Sequence, residues 1–260
     1  MSTIPPDRPD NPLEPLEPPA PPPAMEEDEA SFEADAPEAE AAPPERGRVV
    51  YRGSGSDPVF GYLIGVALAI GLLPLIPDNT DLRYVIVWTV LAGFGVLSWL
   101  LGSMTRIQQE TPENLAWGVI FGLIIATPLL AIGGGTPNTM AKLMFRIAID
   151  GQLRALTPGV ALALLLFVQP MAESLFFRGV LQENRPFWLV GVLSSIWSFV
   201  LFFPVLGVFD LPGVAFAIGT ALVMTNLTYS YVRQRNGLAA AWLCQIIVNV
   251  VLLFLPYISA

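Results

Sequence analysis

Residues 162–181 read LALLLFVQPMAESLFFRGVL. A bilayer core needs about 20 mainly apolar residues in one helix. This stretch supplies that length, interrupted by two charges, Glu173 and Arg178. An ionisable residue at membrane depth is costly and by default marks a functional site, so the run that argues for a membrane helix also nominates its chemistry. Pro170 lacks a backbone donor, which frees the carbonyl of Leu166 and predicts a kink three residues before the carboxylate. Glu173 and Arg178 are five apart, about 140° around an α-helix, so an ion pair within the helix is poor geometry. Arg178 is expected to reach the interface, a backbone carbonyl or another helix.

Working outward, six more stretches have the same character, at roughly 58–77, 84–102, 115–133, 187–209, 211–232 and 237–258. With the stretch at 157–181 in fourth place they predict seven spans. The breaks carry loop residues, such as Pro77-Asp78-Asn79 and Gly133-Gly134-Gly135. The break at Asp210 to Pro212 is very short, so its two spans form a hairpin or one of them is partly re-entrant. Segment 138–156 differs: Met140, Leu143, Met144 and Ile147 recur at helical spacing among Lys142, Arg146 and Arg154. That pattern predicts an amphipathic helix lying in the interface, the alternative being a solvated connector. The fold class expected is all-α, a polytopic membrane helix bundle.

Composition agrees. The chain is 53% hydrophobic and only 13% charged, with a mean hydropathy of +0.59, which excludes an ordinary soluble domain. The net charge of -9 is unevenly placed. Residues 1–48 hold thirteen acids and three arginines, a balance of -10, while the remainder is close to neutral at +1. Thirteen of the 25 prolines also lie in 1–48, whose sole aromatic is Phe32. This segment cannot bury a core and is expected to be a disordered tail, with residues 49–260 forming the transmembrane domain. The start MSTIPPDRPD has neither a basic nor an apolar region of the kind a cleaved signal peptide requires. Counting Lys and Arg near span ends, Arg46, Arg48, Arg52, Arg106, Arg178, Arg185, Arg233 and Arg235 stand on one side, against Arg83, Lys142, Arg146 and Arg154. The positive-inside rule then puts the N-terminus and its tail in the cytoplasm and the C-terminus opposite, in the cell membrane. Cys244 is the single cysteine and has no partner for a disulfide. There is no histidine at all, which removes the commonest proton shuttle and metal ligand.

Other polar residues fall within the spans. Gln245 and Asn249 are four apart and share a helix face, and Asn226, Ser194, Ser195 and Ser198 add hydrogen-bonding groups. Taken singly, each fits interhelical glue in a membrane bundle. The pairs Gly61 with Gly65 and Gly118 with Gly122 have the spacing for close helix approach, within one chain or between two.

The run from Glu173 to Leu181, ESLFFRGVL, resembles the first motif of the CAAX protease and bacteriocin-processing (CPBP, or Abi) family of intramembrane proteases, Glu-Glu-x-x-x-Arg. The likeness extends over roughly 115–258. It implies that Glu173 stands at the position of the glutamate that activates the attacking water, Ser174 at that of the second glutamate, and Arg178 at that of the motif arginine. The second motif, Phe-x-x-x-His, resembles the segment from Phe199 to Phe203, with Phe203 at the histidine position. The last motif, His-x-x-x-Asn, resembles Gln245 to Asn249, with Gln245 at the histidine position and Asn249 matching. Glu173, Arg178 and Asn249 are thus retained, whereas Ser174, Phe203 and Gln245 are substituted.

Family members hydrolyse peptide bonds within or beside the membrane, with water activated by the glutamate and a metal held by the motif residues as one option. Gln is a poor metal ligand that does not titrate, and Phe has no lone pair. No metal or other cofactor is therefore expected. Losing two such residues and a carboxylate removes several kcal/mol of transition-state stabilisation, at about 1.4 kcal/mol per tenfold in rate. The leading expectation is a degenerate, non-catalytic member that binds a membrane-embedded peptide or protein partner. An active endopeptidase relying on Glu173 alone, and a transporter subunit using Glu173 as a proton or cation site, are the alternatives. The lipid bilayer is an expected partner and nucleic acid is not. The acidic tail either recruits a basic cytoplasmic partner or serves as a solubilising appendage.

Overall fold

The computed structural model describes residues 58–100, 110–149, 152–208 and 211–259. The acidic segment 1–48 lies outside the described residues. In chain order the elements are α1 (Pro58–Leu75), α2 (Thr80–Leu100), α3 (Pro112–Gly133), α4 (Thr136–Met144), β1 (Arg146–Ile149) and β2 (Gln152–Ala155). They continue with α5 (Pro158–Asn184), α6 (Phe187–Leu206), α7 (Pro212–Asn236) and α8 (Leu238–Ile258). Among the described residues, α1, α2, α3, α5, α6, α7 and α8 are each long and apolar enough to cross a membrane. The chain is a multi-pass membrane protein built as an all-α bundle. The fifth and sixth spans are separate helices, and α7, unbroken for 25 residues, is long and apolar enough to cross a membrane.

The interfacial helix predicted over 138–156 is corrected. Helix α4 stops at Met144, and the rest of the segment folds as an antiparallel hairpin in which Arg146 faces Ala155 and Ile149 faces Gln152. The connection between α1 and α2 supplies the reason. Thr80 Oγ1 accepts from the Arg146 backbone N–H at 2.9 Å and donates to the Arg146 carbonyl at 2.8 Å. Asn79 Oδ1 accepts from the Ala148 N–H at 2.9 Å. A backbone bonded on its outer edge in this way is extended, whatever its helical periodicity.

Polarity is distributed for lipid. Glu173, Arg178, Gln245 and Asn249 are buried, while Ile132 and Phe216 stand 85% and 78% exposed. Gly118 and Gly122 let α3 and α8 touch within one chain. A Cβ at 118 would meet the Ala240 carbonyl oxygen, and one at 122 would come within 2.8 Å of the Ile247 Cβ. Glu110 completes this seam by accepting from the backbone N–H groups of Ala239 and Ala240 at 2.8 and 2.9 Å, capping the first turn of α8.

Candidate functional site

Helix α5 carries most of the site and is not uniform. Turns of π-helix at Leu164–Val168 and Ser174–Leu181 bracket an α-helical piece, Gln169–Glu173. In the wider register each residue donates five positions back rather than four. The carbonyl that Pro170 leaves without a donor is therefore that of Leu165, not Leu166, and Asn249 Nδ2 donates to it at 2.8 Å. The same widening brings residues five apart closer to one face. Arg178 turns into the bundle with none of its surface exposed.

Glu173 sits 3% exposed among four side-chain donors. Trp88 Nε1 of α2 and Trp197 Nε1 of α6 donate to Oε1 at 3.1 and 3.2 Å. Gln245 Nε2 of α8 donates to Oε2 at 2.6 Å. Gln169 Nε2, one turn back on α5, lies 3.4 Å from both oxygens. A carboxylate offers about four acceptor positions, and these four neighbours occupy them. A further ring of bonds orients the donors. Ser174 Oγ donates to Gln245 Oε1 at 3.2 Å, and Asn249 Nδ2 reaches Gln169 Oε1 at 3.3 Å. Each amide is thereby held with its N–H toward the carboxylate.

Arg178 forms a separate layer. It does not bridge to Glu173 but donates through Nη2 to Asn226 Oδ1 of α7 at 3.0 Å. Its guanidinium carbon lies 5.1 Å from the ring centre of Tyr229 and 5.8 Å from that of Phe177. Asn226 in turn donates to Ser198 Oγ at 3.1 Å. Interhelical bonding is thus the role of Asn226 and Ser198, whereas Ser194 and Ser195 donate to the Gly191 carbonyl of their own helix.

A cavity of about 320 Å³ opens between these layers and the α4 end of the bundle. Gln169, Glu173, Ser198, Asn226, Gln245 and Asn249 line its polar part; Leu129, Ile132, Met140, Met144, Phe202 and Leu252 are among those lining the rest.

Of the six positions singled out from sequence, Glu173, Ser174, Gln245 and Asn249 form one connected network. Arg178 lies in the layer beside it. Phe203 belongs elsewhere, because it stacks on Phe199 with ring centres 5.0 Å apart and lines a shallow groove with Ile70, Leu73 and Pro204. Residues 199 and 203 share one face of α6, while Trp197, Ser198 and Phe202 occupy the inward face. Sequence reading missed Trp88, Trp197 and Gln169 as partners of Glu173. The signal available was the spacing of Gln169, four before Glu173, and the position of both indoles in mid-span rather than in an interfacial belt.

The residues do not fit the metal that the resemblance allows. Among the described residues Glu173 is the one acid lining the cavity, its oxygens already face N–H donors, and its neighbours are amides and indoles. Among the described residues no three His, Cys, Asp or Glu side chains converge.

Residues 155–251 match the sequence model of the type II CAAX prenyl endopeptidase Rce1-like family. No curated protein and no solved structure matches the chain. The matched segment contains α5, α6, α7 and most of α8. Trp88, from α2, lies outside it.

Proposed function

Starting from a chain that belongs to the CAAX-protease-like family through residues 155–251, we propose that it is a catalytically impaired pseudoprotease, which holds a membrane-embedded peptide or protein partner in its cavity without cutting it. One observation carries this reading: both oxygens of Glu173 accept from Trp88, Trp197, Gln169 and Gln245. A general base needs a free acceptor within about 3 Å of the proton it removes, and here indole and amide N–H groups fill those places. The chain has no histidine to act in its stead. The cavity supports binding, since it combines apolar walls with a few polar groups.

Arg83 and Arg178 are both buried and drop out of the loop-charge count, yet the excess of arginine on the N-terminal side persists. That supports an N-terminus and acidic tail on the cytoplasmic side of the cell membrane, with the tail available to a basic partner.

The test is incubation of the purified protein in detergent with a broad library of membrane peptides, wild type beside Glu173→Gln, with and without chelator. No cleavage by either protein, with saturable crosslinking of a peptide to the cavity wall at Met140 or Leu252, is expected. Cleavage by wild type and not by Glu173→Gln would overturn the reading.

A further inference from the structure

A second polar cluster lies outside the cavity, where the first turns of α2 meet β1 and α6. Arg83 is 1% exposed and donates through Nη2 to the Leu201 carbonyl at 3.4 Å, while among the described residues its Nε and Nη1 have no carbonyl or carboxylate acceptor. The next residue, Tyr84, is fully buried, and among the described residues its hydroxyl has no polar neighbour but the adjoining Arg83 guanidinium. Arg146 is held beside this turn by the two bonds between its backbone and Thr80, and its Nε is a further buried donor without an acceptor among the described residues. The Arg83 guanidinium carbon is 5.3 Å from the Tyr84 ring centre. The charges of Arg83 and Arg146 both act on the Tyr84 hydroxyl.

A guanidinium taken out of water is costly unless an opposite charge and further hydrogen bonds compensate it. Two of them beside one phenol repel each other as well. Asp81 is the acid on the same turn, and its Oδ1 is itself buried with no donor. The cluster therefore presents N–H and O–H donors from three side chains on two elements, and an anion is what they lack.

We propose that Arg83, Tyr84 and Arg146 form a binding site for a phosphate group. A tetrahedral phosphate offers several acceptor oxygens in different directions, which suits three donors that do not share a plane; guanidinium groups are the preferred partners of such an anion. The position at the end of a span is where lipid headgroups lie, so a phosphate there is within reach of a guanidinium. Inorganic phosphate from the aqueous phase has the same chemistry.

The site can be tested on full-length protein in lipid-stripped micelles by following thermal unfolding through tryptophan fluorescence, because the Trp88 ring lies 5.0 Å from that of Tyr84. One arm titrates inorganic phosphate against chloride at matched ionic strength. The other adds phosphatidylglycerol or, as its control, a phosphate-free galactolipid. A saturable rise in Tm with phosphate or phosphatidylglycerol, absent with chloride and galactolipid, is expected. Arg146→Met, at a half-buried position, should weaken half-saturation about tenfold, as loss of a charge-assisted bond does. Tyr84→Phe should weaken it less. A rise in the phosphatidylglycerol arm alone assigns a lipid headgroup, and a rise with inorganic phosphate assigns free phosphate. No saturable rise in either arm, or an equal response from Arg146→Met, would overturn the proposal.

Discussion

Glu173 Oε1 accepts two indole N–H groups from helices that are far apart in sequence. That arrangement turns a carboxylate into the hub of a four-helix junction. Removing one donor while leaving its neighbours in place should cost about 1.5–3 kcal/mol, the net worth of a hydrogen bond to a charged group. Trp197→Phe is expected to lower unfolding stability in mild detergent by that amount. The loss should shrink when Glu173→Gln is already present, because the two substitutions act on one interaction. A related expectation concerns the lost histidines. Phe203→His combined with Gln245→His should not produce peptide hydrolysis, since position 203 looks into the shallow groove beside Ile70 and not into the cavity; cleavage of a membrane-peptide library by the double variant is the check. The carboxylate itself was legible in the sequence, as were Gln245 and Asn249 by their spacing. The indoles were not, because tryptophan in a membrane protein is ordinarily explained by the interface, and the need of a mid-span indole N–H for an acceptor names no partner. The motif register on α6 failed for a different reason. A one-sequence match fixes which residues share a face but not which face turns inward.

Helix α5 departs from regular α geometry on both sides of Gln169–Glu173, and the departure is tied to Pro170 and answered by Asn249. Asn249→Ala leaves the Leu165 carbonyl and Gln169 Oε1 each without that donor, and should destabilise the bundle by about 1–3 kcal/mol. In a Pro170→Ala background the restored backbone N–H can serve the Leu165 carbonyl, so the cost of Asn249→Ala should fall; a thermal double-mutant cycle measures the difference. The α3–α8 seam gives a sharper outcome. Gly118→Leu drives a side chain against the Ala240 carbonyl, and overpacking of this kind costs about 1–3 kcal/mol or more, which a Tm shift in detergent would register. Spans of about 20 apolar residues were readable at this scale because length and hydropathy determine them locally. The hairpin was not read, although Asp150-Gly151 is a favoured two-residue turn pair between runs of apolar and basic residues. Helical periodicity over Met140 to Ile147 competed with that signal. What decides between them is Asn79 and Thr80, which lie more than sixty residues earlier. The π-turns had no local signal beyond the proline.

For the molecule as a whole, the charge pattern predicts that a protease added outside intact cells will reach a tag on the C-terminus but not one on the N-terminus. The opposite pattern would invert the bundle and place the acidic segment 1–48 away from the cytoplasm. The order in which the chain is made adds a further consequence. The Glu110 cap on α8 joins residues 129 apart in sequence, Asn226 is 48 residues beyond Arg178, and Gln245 is 72 residues beyond Glu173. During synthesis α5 thus leaves the ribosome while Asn226 and Gln245 are still untranslated, with Trp88 and Gln169 the donors already made for Glu173. Until α7 and α8 arrive, the insertion machinery must shelter a carboxylate and a guanidinium that lipid will not accept. A chain that stops short of Gln245 leaves Glu173 permanently without its shortest donor and without the α8 wall that covers it. Its expected fate is removal by membrane quality control, not survival as a weaker binder.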